Sequence, residues 1–304
     1  MDDNFLIFAM LAAASFLIAC DNDDHPGAKP TRQYEEIDVD GRMRSYLINI
    51  QNAVDEGKTV PLVLMLHGTG GSASQAERDY GWNEKAKEEN FIVVYPEGVP
   101  GEGRFRIRTW NAGTCCQYAM EQNVNDVKFI NSLTEHLIRK YPVDPSRVYV
   151  VGMSNGAMLA YRLACELPEK FAAIGAVSGT MMLSEVCDGG QPTPFIHIHS
   201  VNDTKVPYNG GKGIGGYYFA SADSAINVIG ANNGCSKYTT TSDDAYTHSL
   251  IEDCSDDASI ETWILNDGGH SWPGGRRSSV FSDEPSTAIN ATGKIWEFFR
   301  KHKR

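Results

Sequence analysis

Between residues 62 and 265 six short apolar runs recur, at 62–66, 91–95, 147–152, 173–177, 195–200 and 260–265. Most are rich in Val, Ile and Leu and lack the polar alternation of a half-exposed strand, which is the pattern of strands buried on both faces. Helix-length stretches separate several of them, at 76–89, 124–140, 155–167 and 216–231, and a last one lies at 286–301. Such alternation permits few architectures: α/β, with a mainly parallel sheet and helices on both faces. Ahead of it, 34–39 and 43–50 alternate apolar and polar residues about Asp40-Gly41, which suits an antiparallel hairpin at a sheet edge. With no internal repeat and no second linker, residues 34–304 are expected to fold as one domain.

The run at 147–152 ends in Gly152-Met153-Ser154-Asn155-Gly156, and a helical stretch follows at once. A Gly-x-Ser-x-Gly pentapeptide by itself arises by chance about 0.2 times in a chain this rich in glycine. Its placement between a buried strand and a helix is what predicts a nucleophile elbow, a strained turn that lifts Ser154 above the sheet. The run at 62–66 leads into His67-Gly68-Thr69-Gly70-Gly71, as in a loop that supplies one oxyanion donor. By position the donors are the N–H groups of Thr69 and of Asn155, the residue after the nucleophile. His67 is expected to buttress this turn. The loop has no Walker lysine and not the dinucleotide spacing, so it is not read as a phosphate cradle.

An acid and then a histidine must follow. Asp203, in the turn after the strand at 195–200, is the expected acid, with Asp223 a weaker competitor. His270, in the glycine-flanked loop after the strand at 260–265, is the expected base, ahead of His248 and His302. His197 and His199 share a strand face and could chelate a metal with Asp203, but a strand this central favours satisfied core histidines. No metal and no cofactor is expected. Trp272 and Trp110 are candidates for an aromatic substrate wall.

A net charge of −12 with no Lys/Arg-rich run excludes a nucleic-acid surface. Residues 4–19 form an uncharged apolar stretch too short to span a bilayer, closing on Leu17-Ile18-Ala19-Cys20 before an acidic run. That reads as an export signal over 1–20, followed by a linker over 21–33. The small residues before Cys20 resemble a lipobox, so Cys20 is expected to carry a lipid, which would be the only membrane contact. The acidic Asp2-Asp3 departs from the usual basic start of such signals. Six cysteines remain after Cys20, an even number in an exported chain. Cys235 and Cys254 are the expected pair, because they flank a polar hairpin-like stretch. The adjacent Cys115 and Cys116 are expected to reach Cys165 and Cys187 rather than each other. A monomer is expected.

Taken together, His67-Gly68, Trp110-Asn111-Ala112-Gly113-Thr114-Cys115-Cys116, the Ser154 pentapeptide, Asp203 with Val206-Pro207-Tyr208-Asn209-Gly210-Gly211, and Gly269-His270-Ser271-Trp272-Pro273-Gly274-Gly275 stand in one order. Over about 34–300 the chain resembles the polyhydroxybutyrate depolymerase, feruloyl esterase and acetylxylan esterase family of exported α/β-hydrolases. The resemblance implies an α/β-hydrolase catalytic domain at 34–304, a Ser154–His270–Asp203 triad, ester substrates, and Trp272 bordering the acyl site. Within it, plant-polysaccharide esters are favoured over polyhydroxybutyrate oligomers. Readings that share the site are a serine peptidase or acyltransferase, and, from another class, a non-catalytic binding protein on a hydrolase scaffold.

Overall fold

The computed structural model describes residues 31–50, 58–184, 187, 190–280 and 282–304. The signal and linker expected over 1–33 lie outside these residues, apart from 31–33, and so does Cys20. A ten-stranded sheet crosses the molecule: β1 (Thr31–Val39), β2 (Arg42–Ile50), β3 (Val60–Leu66), β4 (Ile92–Pro96), β5 (Val143–Met153), β6 (Ala173–Val177), β7 (Phe195–Ser200), β8 (Lys237–Ser242), β9 (Tyr246–Glu252) and β10 (Ile260–Leu265). Their spatial order is β1-β2-β4-β3-β5-β6-β7-β10-β9-β8. The strands from β4 to β10 pair in parallel. An antiparallel hairpin closes each edge, β1–β2 on one side and β8–β9 on the other. The first hairpin turns at Asp40 and Gly41, both with positive φ, as a tight two-residue turn requires.

Among the described residues there are seven α-helices: α1 (Ala73–Asp79), α2 (Trp82–Glu89), α3 (Gln117–Glu121), α4 (Asp126–Lys140), α5 (Asn155–Glu166), α6 (Ala222–Asn232) and α7 (Ala291–Phe299). The side-chain period of two along the central strands feeds two cores. Leu62, Leu64, Val148 and Val150 pack with α4, α5 and α6 on one face. Val63, Met65, Tyr149 and Val151 pack with α1, α2 and α7 on the other. No described helix is long and apolar enough to cross a membrane.

Several boundaries moved from their sequence positions. The stretch at 76–89 is two helices, broken at Tyr80-Gly81, where Gly81 takes φ 74°. The helix expected to begin at 216 begins at Ala222, because the Ser221 side chain caps it by accepting the Ser224 N–H at 3.1 Å. Residues 211–219 instead hold a short ribbon, Gly211–Lys212 with Tyr218–Phe219. Asn290 likewise starts the last helix by accepting the Gly293 N–H at 2.7 Å.

The disulfides are Cys115–Cys116, Cys165–Cys187 and Cys235–Cys254. The last is the expected pair and ties off the β8–β9 hairpin. The other two correct the sequence expectation. Cys165, in the last turn of α5, lies 5.3 Å by Cα from Cys187, within ordinary disulfide reach. Cys115 and Cys116 sit in a turn where Ala112 N–H bonds Cys115 C=O and Cys116 N–H bonds Trp110 C=O, and there they face each other.

Candidate active site

The site forms at the C-terminal ends of the parallel strands. β5 delivers Ser154 at its end with φ 54° and ψ −120°, and the Ser154 N–H bonds Val177 C=O at 2.9 Å. Non-glycine residues adopt such φ values only where the surroundings enforce them. The two flanking glycines are required by close approach: a Cβ on Gly152 would stand 2.1 Å from the Gly156 carbonyl carbon, and one on Gly156 would stand 2.5 Å from Leu66 O. The elbow thus packs directly against the end of β3.

His270, from the loop after β10, places Nε2 2.8 Å from Ser154 Oγ and Nδ1 2.7 Å from Asp203 Oδ2. Asp203 comes from the turn after β7, where its Oδ1 accepts the N–H groups of Lys205 and Val206, each at 2.9 Å. Burial alone would raise the Asp203 carboxyl, but hydrogen bonds from His199 and His270 outweigh it and hold the group well below the usual carboxylate range. Asp203 is therefore an anion facing the imidazole. Asp223, the weaker competitor, is taken up by the Tyr208 hydroxyl at 2.5 Å.

Gly68 lies against the nucleophile: a Cβ there would be 3.2 Å from Ser154 Cβ. The next residue, Thr69, lines the same cavity, and its N–H makes no hydrogen bond among the described residues. Asn155 is the first residue of α5, so its N–H has no helical carbonyl to bond. His67 is fully buried behind this loop. The Gly98 N–H donates to its Nε2 at 3.0 Å, leaving Nδ1–H for Gly68 O at 2.7 Å, and burial pushes its pKa down to about 4. A neutral ring bonded on both nitrogens is a buttress, as expected.

The two tryptophans divide. Trp272 lines the cavity, stacked on Tyr80 at 4.5 Å with its indole N–H on Thr292 Oγ1. Trp110 does not line the cavity, which corrects its candidacy as a substrate wall. It is fully buried, and its indole N–H donates to His67 O at 2.8 Å. Its backbone N–H and C=O bond the Asn155 side chain at 2.7 and 3.0 Å. Trp110 thus ties together the two segments that carry Thr69 and Asn155. Behind it, Asp126 accepts the Asn111 N–H and the Arg44 guanidinium, each at 2.8 Å, and Arg44 lies over Phe129 at 3.8 Å.

Two further side chains contribute, Asp283 without a sequence signal and His199 as a core histidine of β7. Asp283 Oδ2 accepts the His270 N–H at 2.8 Å and Oδ1 meets Lys205 at 3.3 Å. His199 reaches Asp203 at 3.3 Å. No group of His, Cys, Asp and Glu side chains suited to a metal occurs among the described residues. The cavity, about 410 Å³, is lined by apolar Met153, Ile214 and Trp272 together with polar Arg276, Ser278 and Ser282.

A strand-elbow-helix centre at the top of a mainly parallel sheet, with an acid turn and a histidine loop beyond it, defines an α/β-hydrolase fold. The family model for esterase PHB depolymerase matches residues 45–188. The esterase NocK of Nocardia uniformis subsp. tsuyamanensis is 35% identical over 190 residues, which cover 61% of this chain and 52% of that one. Feruloyl esterase C of Emericella nidulans is 28% identical over 284 residues, covering 90% of this chain and 89% of its own. Acetyl xylan esterase from Aspergillus awamori superposes with a TM-score of 0.60 at 16% identity, covering 88% of this chain and 99% of its own. The chain is similar to the polyhydroxybutyrate depolymerase, feruloyl esterase and acetylxylan esterase family, most directly over residues 45–188. It spans about half the length, or less, of several curated relatives it matches.

Proposed function

We propose that the chain is a serine carboxylic ester hydrolase of the feruloyl or acetylxylan type, acting on esters of plant polysaccharides. One observation carries this reading: His270 bridges Ser154 Oγ at 2.8 Å and the Asp203 anion at 2.7 Å. His270 Nε2 takes the Ser154 proton as Oγ bonds the ester carbonyl carbon, and Asp203 stabilises the imidazolium without accepting the proton. The carbonyl oxygen becomes an anion held by the N–H groups of Thr69 and Asn155; one such donor lowers the barrier by about 3 kcal/mol. Collapse breaks the bond to the alcohol oxygen, which leaves with the proton from His270. Water then gives a proton to His270 and its oxygen to the acyl carbon, and the carboxylic acid departs as Ser154 recovers its proton.

The mixed lining of the cavity supports the substrate class. Met153, Ile214 and Trp272 offer apolar contact for an acyl group such as acetate or ferulate, and Arg276, Ser278 and Ser282 offer polar partners for a hydroxyl-rich alcohol. The feruloyl and acetylxylan esterases among the relatives and neighbours favour the same class. Ser154→Ala should abolish p-nitrophenyl acetate hydrolysis with Tm near that of the parent; retained turnover would overturn the assignment. Faster release of 3-hydroxybutyrate from its oligomers than of ferulate from methyl ferulate and of acetate from acetylated xylan would replace the polysaccharide reading with a polyester one.

Export belongs to the same proposal, with residues 1–20 a signal, Cys20 lipidated, 21–33 a linker and 34–304 a monomeric catalytic domain. Three disulfides among the described residues support an oxidising compartment. Cys20→Ala should move the protein from the membrane to the soluble fraction, and an unchanged distribution would remove the anchor from the proposal.

A further inference from the structure

Three fully buried side chains that the mechanism does not use run in a line to Asp203. Tyr161 lies on α5, two turns beyond Ser154, and its Oη is 2.9 Å from His197 Nδ1. His197 Nε2 is 3.2 Å from His199 Nδ1, both on β7. His199 Nε2 is 2.9 Å from Val206 O and 3.3 Å from Asp203 Oδ2, the oxygen that also faces His270.

We propose that Tyr161, His197 and His199 form a one-directional hydrogen-bonded chain that orients Asp203, making His199 a positioning residue for the reaction. The proposal rests on the reading of Ser154, His270 and Asp203 as the reacting set. The direction follows from elimination. His199 Nε2 faces two acceptors, so it carries a proton. A neutral His199 then accepts at Nδ1, which obliges His197 Nε2 to donate and His197 Nδ1 to accept, and the Tyr161 hydroxyl donates into it. Every polar atom in the line is satisfied. The reverse order, with His199 protonated at both nitrogens, would turn His197 Nδ1–H toward Tyr161. The hydroxyl proton would then need another acceptor, and among the described residues Tyr161 Oη has none. An unsatisfied buried hydroxyl is disfavoured. Burial also pushes His197 well below and Tyr161 well above their ordinary pKa values, so both stay neutral.

The consequence is electrostatic. His199 shares the negative charge that would otherwise fall wholly on His270, and so limits how strongly the His270 cation is held. Removing that donor should make His270 retain its proton to higher pH, so the acid limb of kcat/KM should move upward. The other charged groups about His270 and its cavity are Asp283, on its backbone N–H, Lys205, paired to Asp283, and Arg276 and Arg277 in the cavity lining. All of them remain in every variant below.

The test compares p-nitrophenyl acetate pH profiles for His199→Leu, His199→Gln and Tyr161→Phe. The acid limb should rise by about half to one pH unit in His199→Leu, part of the roughly one to two units that one hydrogen bond to a charged group weighs, because Asp203 stands between the two rings. It should rise less in Tyr161→Phe and stay near the parent in His199→Gln, whose amide can still donate. A purely structural role would lower Tm without moving the limb. An unmoved limb in an active His199→Leu protein overturns the proposal; should that variant not fold, an unmoved limb in Tyr161→Phe does so. Nitrogen-15 spectra of the Ser154→Ala protein read the chain without turnover: both imidazoles should be protonated at Nε2, and an Nδ1–H His199 overturns the proposal. Retained turnover in Ser154→Ala would instead sink the ester-hydrolase reading, while the spectra still judge the chain.

Discussion

The Asp283 carboxylate holds the backbone of His270 rather than its ring: Oδ2 accepts the His270 N–H at 2.8 Å, and Oδ1 meets Lys205 at 3.3 Å. The loop after β10 contains Gly268 and Gly269 immediately before His270, so the imidazole depends on such outside contacts for its position.

Asp283→Ala should therefore lower kcat by about one to two orders of magnitude through misplacement of His270. Asp283→Asn, which keeps an acceptor oxygen, should stay within a few-fold of the parent. Steady-state kinetics on p-nitrophenyl acetate separate the two, and equal activity in parent and Asp283→Ala would refute the anchoring role.

Trp110→Phe removes the N–H that reaches His67 O across to the Asn155 side of the site. One lost buried hydrogen bond costs about 1 kcal/mol, or about 2–4 °C in Tm for a chain of this size. Because the loosened segments carry the proposed oxyanion donors, kcat should fall with KM nearly constant. A rise in KM alone would mean that Trp110 bears on substrate binding instead.

Asp126→Asn leaves the buried Arg44 guanidinium without its counter-charge. Removing one partner of a buried pair costs about 3–5 kcal/mol. Replacing both, as Arg44→Met with Asp126→Leu, should cost less than the single change, because no buried charge is then left alone. Urea unfolding of the three proteins provides the comparison, and a double variant weaker than Asp126→Asn would contradict it.

Acid should destabilise the fold above the range in which carboxylates titrate. His67 is held neutral with a pKa of about 4, against about 6.5 in the unfolded chain. A depressed histidine contributes fully above pH 6.5, and the unfolded state gains protons first as pH falls from 6.5 toward 4. That one group accounts for about 3 kcal/mol by pH 4. His302, also pushed down to about 4 by burial, acts in the same direction. Tm measured between pH 7 and 4.5 should fall steadily, and a flat profile would count against both assignments.

Much of the fold was legible because the central strands are buried on both faces. Runs at 173–177, 195–200 and 260–265 coincide with β6, β7 and β10, since no solvent face interrupts their apolar pattern. Boundaries set by single hydrogen bonds were less visible, as at Ser221, where a side-chain cap rather than a change in composition begins α6. Cys115 and Cys116 show the same limit, because the turn that brings their sulfurs together depends on backbone bonds to Trp110 and Ala112.

By itself the sequence determined the order of the proposed site residues: Thr69 after one strand, Ser154 and Asn155 at the elbow, then Asp203 and His270, each at the end of a buried strand. Only the tertiary structure decided what holds those residues still. It drew Asp283 back 13 positions to His270, set Trp110 behind the oxyanion loop instead of in the cavity, and aligned Tyr161, His197 and His199 upon Asp203. Strand periodicity is local and survives in the chain as a pattern. Hydrogen bonds between side chains far apart in sequence leave no period behind, and arise only where packing closes the distance.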